Sequence, residues 1–99
     1  MSPSIAVIAR FTPRPESREA LQTLLEGMIT PTRAEHGCRS YDLYESVEGG
    51  DFVLLERYRS RSALEEHRGS THYRNYRAQL TRLLAKPVAV TELAVLDEA

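Results

Sequence analysis

Cysteine occurs once in the 99 residues, at Cys38, which excludes an intrachain disulfide and a cysteine-held metal cluster. No apolar run approaches the ~20 residues a membrane-crossing helix needs. The opening stretch MSPSIAVIARF lacks the pattern of a signal peptide, so a cytoplasmic home is expected. Charge of one sign is also missing. The net charge of −1 argues against a module built to hold nucleic acid. A glycine-rich dinucleotide turn is absent after the first apolar run, where TPRPES stands instead. Internal repeats, linkers and low-complexity tracts are absent too.

What remains is the composition of a soluble globular protein, 41% hydrophobic and 27% charged. The length suits one domain over residues 1–99, with a core from about residue 5 to 95. A chain of this size buries only somewhat more than about 60% of its unfolded surface, so pairing with a second copy is a natural way to hide more. Twelve of the thirteen basic residues are arginines, and seven lie between Arg57 and Arg82. Only Glu65 and Glu66 oppose them there, which leaves either a local basic surface or solvated helix faces.

Ile5 to Phe11 is β-branched and apolar, as a mostly buried strand requires. From Ser17, Ala20, Leu21, Leu24, Leu25, Met28 and Ile29 fall at helical spacing, and Pro31 is expected to end or kink that helix. Cys38 to Glu45 alternates as a strand, with Tyr41 and Leu43 on one face. The turn Glu48-Gly49-Gly50-Asp51 joins it to a third strand, Phe52 to Tyr58. Ser60 or Ser62 can cap the next helix, which Gly69-Ser70 interrupts. Ser70 can cap its continuation, whose apolar face is Tyr73, Tyr76, Leu80, Leu83 and Leu84. Pro87 stops it, and Val88 to Leu96 is a last strand.

The order β-α-β-β-α-β with a broken second helix predicts an α+β, ferredoxin-like antiparallel sheet with helices on one face. Apolar residues on both faces of strands one and three predict a covering partner, a homodimer packed sheet to sheet.

The segment His67 to Tyr76, HRGSTHYRNY, concentrates two histidines and two tyrosines among arginines. A helical zinc pair needs histidines at i and i+4, whereas His67 and His72 are five apart across a Gly-Ser break, so no metal is expected. RNA-recognition modules of this fold carry stacking aromatics in the pattern K/R-G-F/Y-G/A-F-V-x-F/Y. The aligned stretch runs Glu48 to Leu55, and Gly50 and Leu55 stand at two of the three stacking positions. The third reading is a pocket between sheet and helices. Glu56 and Tyr58 share a strand face, and His67 and His72 converge on them if that face looks inward. Histidine titrates near neutrality and suits proton transfer at a phenol or enol. Against this, His67 can simply pack or cap its helix while His72 faces water.

The run from Glu56 to Tyr73, with Tyr58, Ala63, Leu64, His67, Ser70 and His72 at its fixed points, resembles the E-x-W-x-s-x-x-A-L-x-x-H-x-x-S-x-H segment of the antibiotic biosynthesis monooxygenase family. Gly37-Cys38 and Tyr41 are similar to its G-C-x-x-Y turn and strand, and Pro87-Val88 to its last-strand start. The resemblance implies a dimeric α+β barrel. It also implies, as in the quinol-oxidising members, oxygen insertion into a dihydroxylated aromatic without flavin, metal or haem. Two positions depart from the pattern. Tyr58 replaces the family tryptophan, and Ala9 stands where several relatives carry asparagine.

The expected function is therefore a cofactor-independent monooxygenase of a small quinol-like aromatic, with O₂ as co-substrate. Expected catalytic residues are His67 or His72 as base, with Tyr58. Expected substrate contacts are Glu56, Tyr41, Arg10 and Tyr73, with Arg10 steadying an anion. The alternatives are a cofactor-free isomerase of a small enolisable substrate and a ligand-binding protein without catalysis.

Overall fold

The computed structural model of the chain describes residues 3–98. Strand β1 (Ile5–Phe11) alternates strictly, with Ile5, Val7, Ala9 and Phe11 buried and the residues between them less so. A 3₁₀ turn, Pro15–Ser17, leads into helix α1 (Arg18–Glu26), which buries Leu21 and Leu25. Strand β2 (Cys38–Glu45) and strand β3 (Phe52–Tyr58) form a hairpin. Its turn uses positive φ at Gly49 and Gly50, which glycine alone adopts without steric cost. Helix α3 (Arg61–Arg68), helix α4 (Thr71–Leu80) and a last 3₁₀ turn precede strand β4 (Ala89–Ala94).

The sheet order is β2-β3-β1-β4, antiparallel throughout, which is the ferredoxin-like arrangement. The helices cover one face. Phe11, Leu21, Leu25 and Leu54 are sealed between the layers, each worth about 1.5–3 kcal/mol of burial. The other face is open, and Leu55, Leu93 and Tyr44 are exposed on it. Among the described residues, no helix is long and apolar enough to cross a membrane.

The first helix breaks earlier than its proline predicts. It ends at Gly27, and Pro31 lies inside a short helix α2 (Ile29–Arg33). Pro31 is in the first turn of α2, where its missing N–H has no intrahelical partner to lose. The last strand is also shorter than the Val88 to Leu96 run, because only Ala89–Ala94 pairs with β1 in the ladder. Of the two candidate caps, Ser60 is the one used, its Oγ accepting from the Ala63 N–H at 3.1 Å. Ser70 caps α4 in the same way through the Tyr73 N–H.

Candidate active site

The alternation of β3 turns Phe52, Leu54, Glu56 and Tyr58 toward the helices. Three of these suit a core, whereas Glu56 places a carboxyl there with only 7% of its surface exposed. The Tyr58 hydroxyl donates to Glu56 Oε1 at 2.6 Å. Burial pushes the Glu56 carboxyl up to about 7, against the weaker pull of the Tyr58 hydrogen bond and the Arg68 charge. The Tyr58 phenol is pushed up, chiefly by burial and then by the Glu56 charge, so it stays a proton donor.

His67 sits on the inward face of α3 and is buried. Its Nδ1 donates to Glu35 Oε2 at 2.8 Å, and His72 Nε2 donates to the same oxygen at 2.5 Å. An ionised carboxylate only accepts, which fixes the proton of His67 on Nδ1 and leaves Nε2 with its lone pair. Burial lowers the His67 pKa, and the Glu35 hydrogen bond and charge only partly restore it. Neutral His67 is thus a base at pH 7, oriented from behind by a carboxylate.

Glu35 reaches His67 because the turn after α2 approaches α3 closely. A Cβ on Gly37 would stand 2.3 Å from the Ala63 Cβ, so glycine is required there. The Arg59 N–H donates to the Gly37 carbonyl at 2.9 Å and locks the approach. The neighbouring Cys38 thiol is pushed up to about 11 by burial and the Glu35 and Glu56 charges, so it is a packing residue rather than a nucleophile.

Between sheet and helices lies a chamber of about 30 Å³ lined by Ala9, Tyr41, Glu56, His67, Tyr73 and Tyr76, with Arg68 and Arg77 at its wall. The His67 ring is 5.1 Å from Tyr73, 5.3 Å from Tyr58 and 5.9 Å from Tyr41, centroid to centroid. Burial pushes the Tyr41 and Tyr76 phenols up as well. The chamber therefore offers a carboxyl pushed up to about 7, Glu56, and an imidazole whose burial favours its neutral form, His67, within a ring of phenols. At its base Ala9 leaves open the space a longer side chain would fill.

The fold brings His67, Glu56, Tyr41 and Tyr73 together, with Tyr58 bonded beneath them. His72 lies on the far side of Glu35 and lines a separate cleft of about 390 Å³ beside Met28 and Asn75. Arg10 is not brought in. It lies on the opposite sheet face and pairs with Asp51 at 3.1 Å, since its neighbours Ala9 and Phe11 take the inward positions of β1. Sequence reasoning missed Glu35, Arg68, Tyr76 and Arg77. Glu35 stood two residues before the Gly37-Cys38 turn that fixes it.

Reasoning from local spacing also passed over one donor set. The ligand atoms of Glu35, His67 and His72 lie within 4.8 Å of one another. Two imidazoles and a carboxylate are donors that zinc or iron accepts, and the histidines meet through Glu35 rather than along a helix. The same three groups already satisfy one another as hydrogen-bond partners.

Comparison with known proteins agrees with this fold. The profile described as "Antibiotic biosynthesis monooxygenase" matches residues 4–79. "Putative monooxygenase Rv0793" of Mycobacterium tuberculosis is 71% identical over 99 residues, covering 100% of this chain and 98% of that protein. Its solved structure superposes with a TM-score of 0.95 at 72% identity, over 97% of this chain and 98% of that one. "Putative monooxygenase YcnE" of Bacillus subtilis is 33% identical over 93 residues, 91% of this chain and 98% of that protein. The crystal structure of PA3566 from Pseudomonas aeruginosa gives a TM-score of 0.90 at 33% identity, over 98% of each chain. The chain belongs to the antibiotic biosynthesis monooxygenase family.

Proposed function

We propose that the protein is a cofactor-independent monooxygenase of a small quinol-like aromatic, with His67 as its general base. The observation that carries this is the placement of His67, tied to Glu35 through Nδ1 and sharing a chamber with the Glu56–Tyr58 pair. His67 Nε2 takes the proton of a ligand hydroxyl, a step worth typically about 10²–10⁴ in rate. Glu35 is a positioning residue that holds the imidazole and stabilises its charged form. Glu56 and Tyr58 orient the ligand oxygen, and the tyrosine rings exclude water.

The deprotonated ring passes one electron to O₂, and the superoxide and ring radical combine to form a carbon–oxygen bond. The resulting hydroperoxide loses water to leave a carbonyl, so one oxygen atom enters the product and the other leaves as water. At about 30 Å³ the chamber holds water rather than a ring, so entry requires the half-buried Arg68 and the exposed Arg77 side chains to swing aside. The reading includes a second copy of the chain on the open sheet face, which covers Leu55, Leu93 and Tyr44.

The test is oxygen uptake by metal-free protein over a panel of hydroquinones and naphthalenediols, beside a His67→Ala/His72→Ala variant. Uptake well above autoxidation and lost in the variant is expected. Background uptake across the panel defeats the reading. The nearest competitor is a proton-shuttling isomerase, because Glu56 and His67 are two proton-exchanging groups on one chamber. Turnover that persists without oxygen selects it.

A further inference from the structure

Seven of the twelve arginines hold carboxylate partners. Arg14, Arg77 and Lys86 hold none among the described residues, and all three line one groove of about 510 Å³. Its apolar wall is Leu80, Leu84 and Pro87. This volume lies in the range of small-molecule sites, and no acidic side chain lines it.

The rim is fixed by the backbone rather than by the side chains. Pro13 bridges to Leu84, the Arg14 N–H donates to the Leu83 carbonyl at 2.9 Å, and the Ala85 N–H to the Thr12 carbonyl at 2.8 Å. Arg14 and Lys86 are thereby held on two strands of chain tied together, with Arg77 projecting from α4. Arg77 and Val88 line both this groove and the acid–base chamber, so the two spaces share a wall.

We infer that the groove is the binding site for an anionic substituent on an apolar ring, and that the substrate is an aromatic acid rather than a neutral quinol. This rests on the function proposed above for the role of the chamber, but the binding claim stands apart from it. The ring lies on Leu80, Leu84 and Pro87, its acidic group meets the three cations, and its hydroxyl edge points at the Arg77–Val88 wall. Charge-assisted contacts of this kind are stronger than neutral hydrogen bonds and favour a planar acid at an arginine pair.

The experiment measures binding of the probes to the full chain by calorimetry under anaerobic conditions, so oxygen chemistry does not enter it. 1-Hydroxy-2-naphthoate and 1-naphthyl phosphate are compared with neutral 1-naphthol. Either acid binding at least about tenfold more tightly than 1-naphthol is expected, and the tighter of the two names the acidic group. The Arg14→Gln/Arg77→Gln/Lys86→Gln variant is expected to lose that advantage while 1-naphthol binding stays within about twofold. Arg82→Gln, which removes an exposed cation outside the groove, should leave the acid advantage intact. On the unaltered protein, acid binding should weaken several-fold at high salt. Equal binding of acid and neutral probes, no binding of either, salt-insensitive acid binding, or an advantage that survives the triple variant overturns the inference. Failed oxygen uptake with retained acid binding would remove the monooxygenase reading and leave the groove standing.

Discussion

Glu56 and Glu92 stand in one row of the sheet, on either side of Val7, and their carboxyls titrate in opposite directions. At the covered centre, burial pushes Glu56 up to about 7. At the exposed edge, hydrogen bonds from Arg61 and Arg68 hold Glu92 below the usual carboxylate range. The row begins with Tyr41 on β2, so it runs from the chamber out to solvent. Residue type therefore does not set the chemistry here. Helix coverage does, and Arg68 touches both regimes, as a partner of Glu92 and a nearby charge on Glu56.

The sharpest way to break the comparison is at the base that faces the covered end. With a substrate that turns over, His67→Ala should lower kcat by about 10²–10⁴. Glu35→Gln should cost less and move the acid limb of the pH–rate profile to lower pH, since the imidazolium loses a carboxylate. A His67→Ala variant with unchanged kcat would move the proton transfer to Glu56.

The next effect is on stability. The Glu56 carboxyl has an ordinary value of 4.5 and a folded value of about 7. The folded state thus binds its proton more tightly than the unfolded chain. Its contribution is fully present below about pH 4.5 and is lost as pH rises through about 7, a change of roughly 3 kcal/mol. Glu56→Gln keeps a partner for Tyr58 without the charge. The difference between wild-type and variant urea midpoints should therefore open between those pH values and then level off. His67 works in the other direction, its lowered pKa adding stability that is lost as pH falls below about 6.5, and it cancels in that difference. A pH-independent difference would place Glu56 in an ordinary solvated setting.

A smaller test concerns the open face. Leu93→Arg adds a charge opposite Ala6, in the open-face groove that also holds Leu55 and Ile8, without touching the helix side, where the chamber lies. Sedimentation should show a shift from dimer to monomer in the variant, with melting temperature little changed at high protein dilution. Monomeric wild-type protein would remove the second copy from the functional reading.

These contrasts also mark what the sequence could disclose. Alternation in Ile5 to Phe11 and Phe52 to Tyr58 declares the strands and puts Glu56 and Tyr58 on one face, but which way that face looks depends on where the helices pack and was left open by the sequence. The serine caps and the Gly69-Ser70 break were legible for the same local reason. Glu35 was not, because its meeting with His67 depends on the close approach of Gly37 to Ala63, a contact between elements 26 residues apart in the chain. Arg10 failed as a site residue although the alternation already gave its face: Ala9 and Phe11 point in, so Arg10 points out. His72 was half legible, joined to His67 through a carboxylate that spacing along one helix could not reveal.

The smallest expected effect joins the two ends of the row. Arg68 lowers the Glu56 pKa by its charge while its guanidinium is held by Glu92 Oε2 at 2.9 Å. In Glu92→Gln the edge carboxylate is gone, and the Arg68 charge is no longer countered by it where it acts on Glu56. The titration midpoint of Glu56, followed by the side-chain carboxyl signal in NMR, should then fall from about 7 by less than one unit. The direction matters more than the size. A fall means that the edge ion pair diverts Arg68 from the chamber and thereby helps keep Glu56 protonated near neutral pH. An unchanged midpoint means that burial alone sets it, and that the edge and the centre of the row act independently.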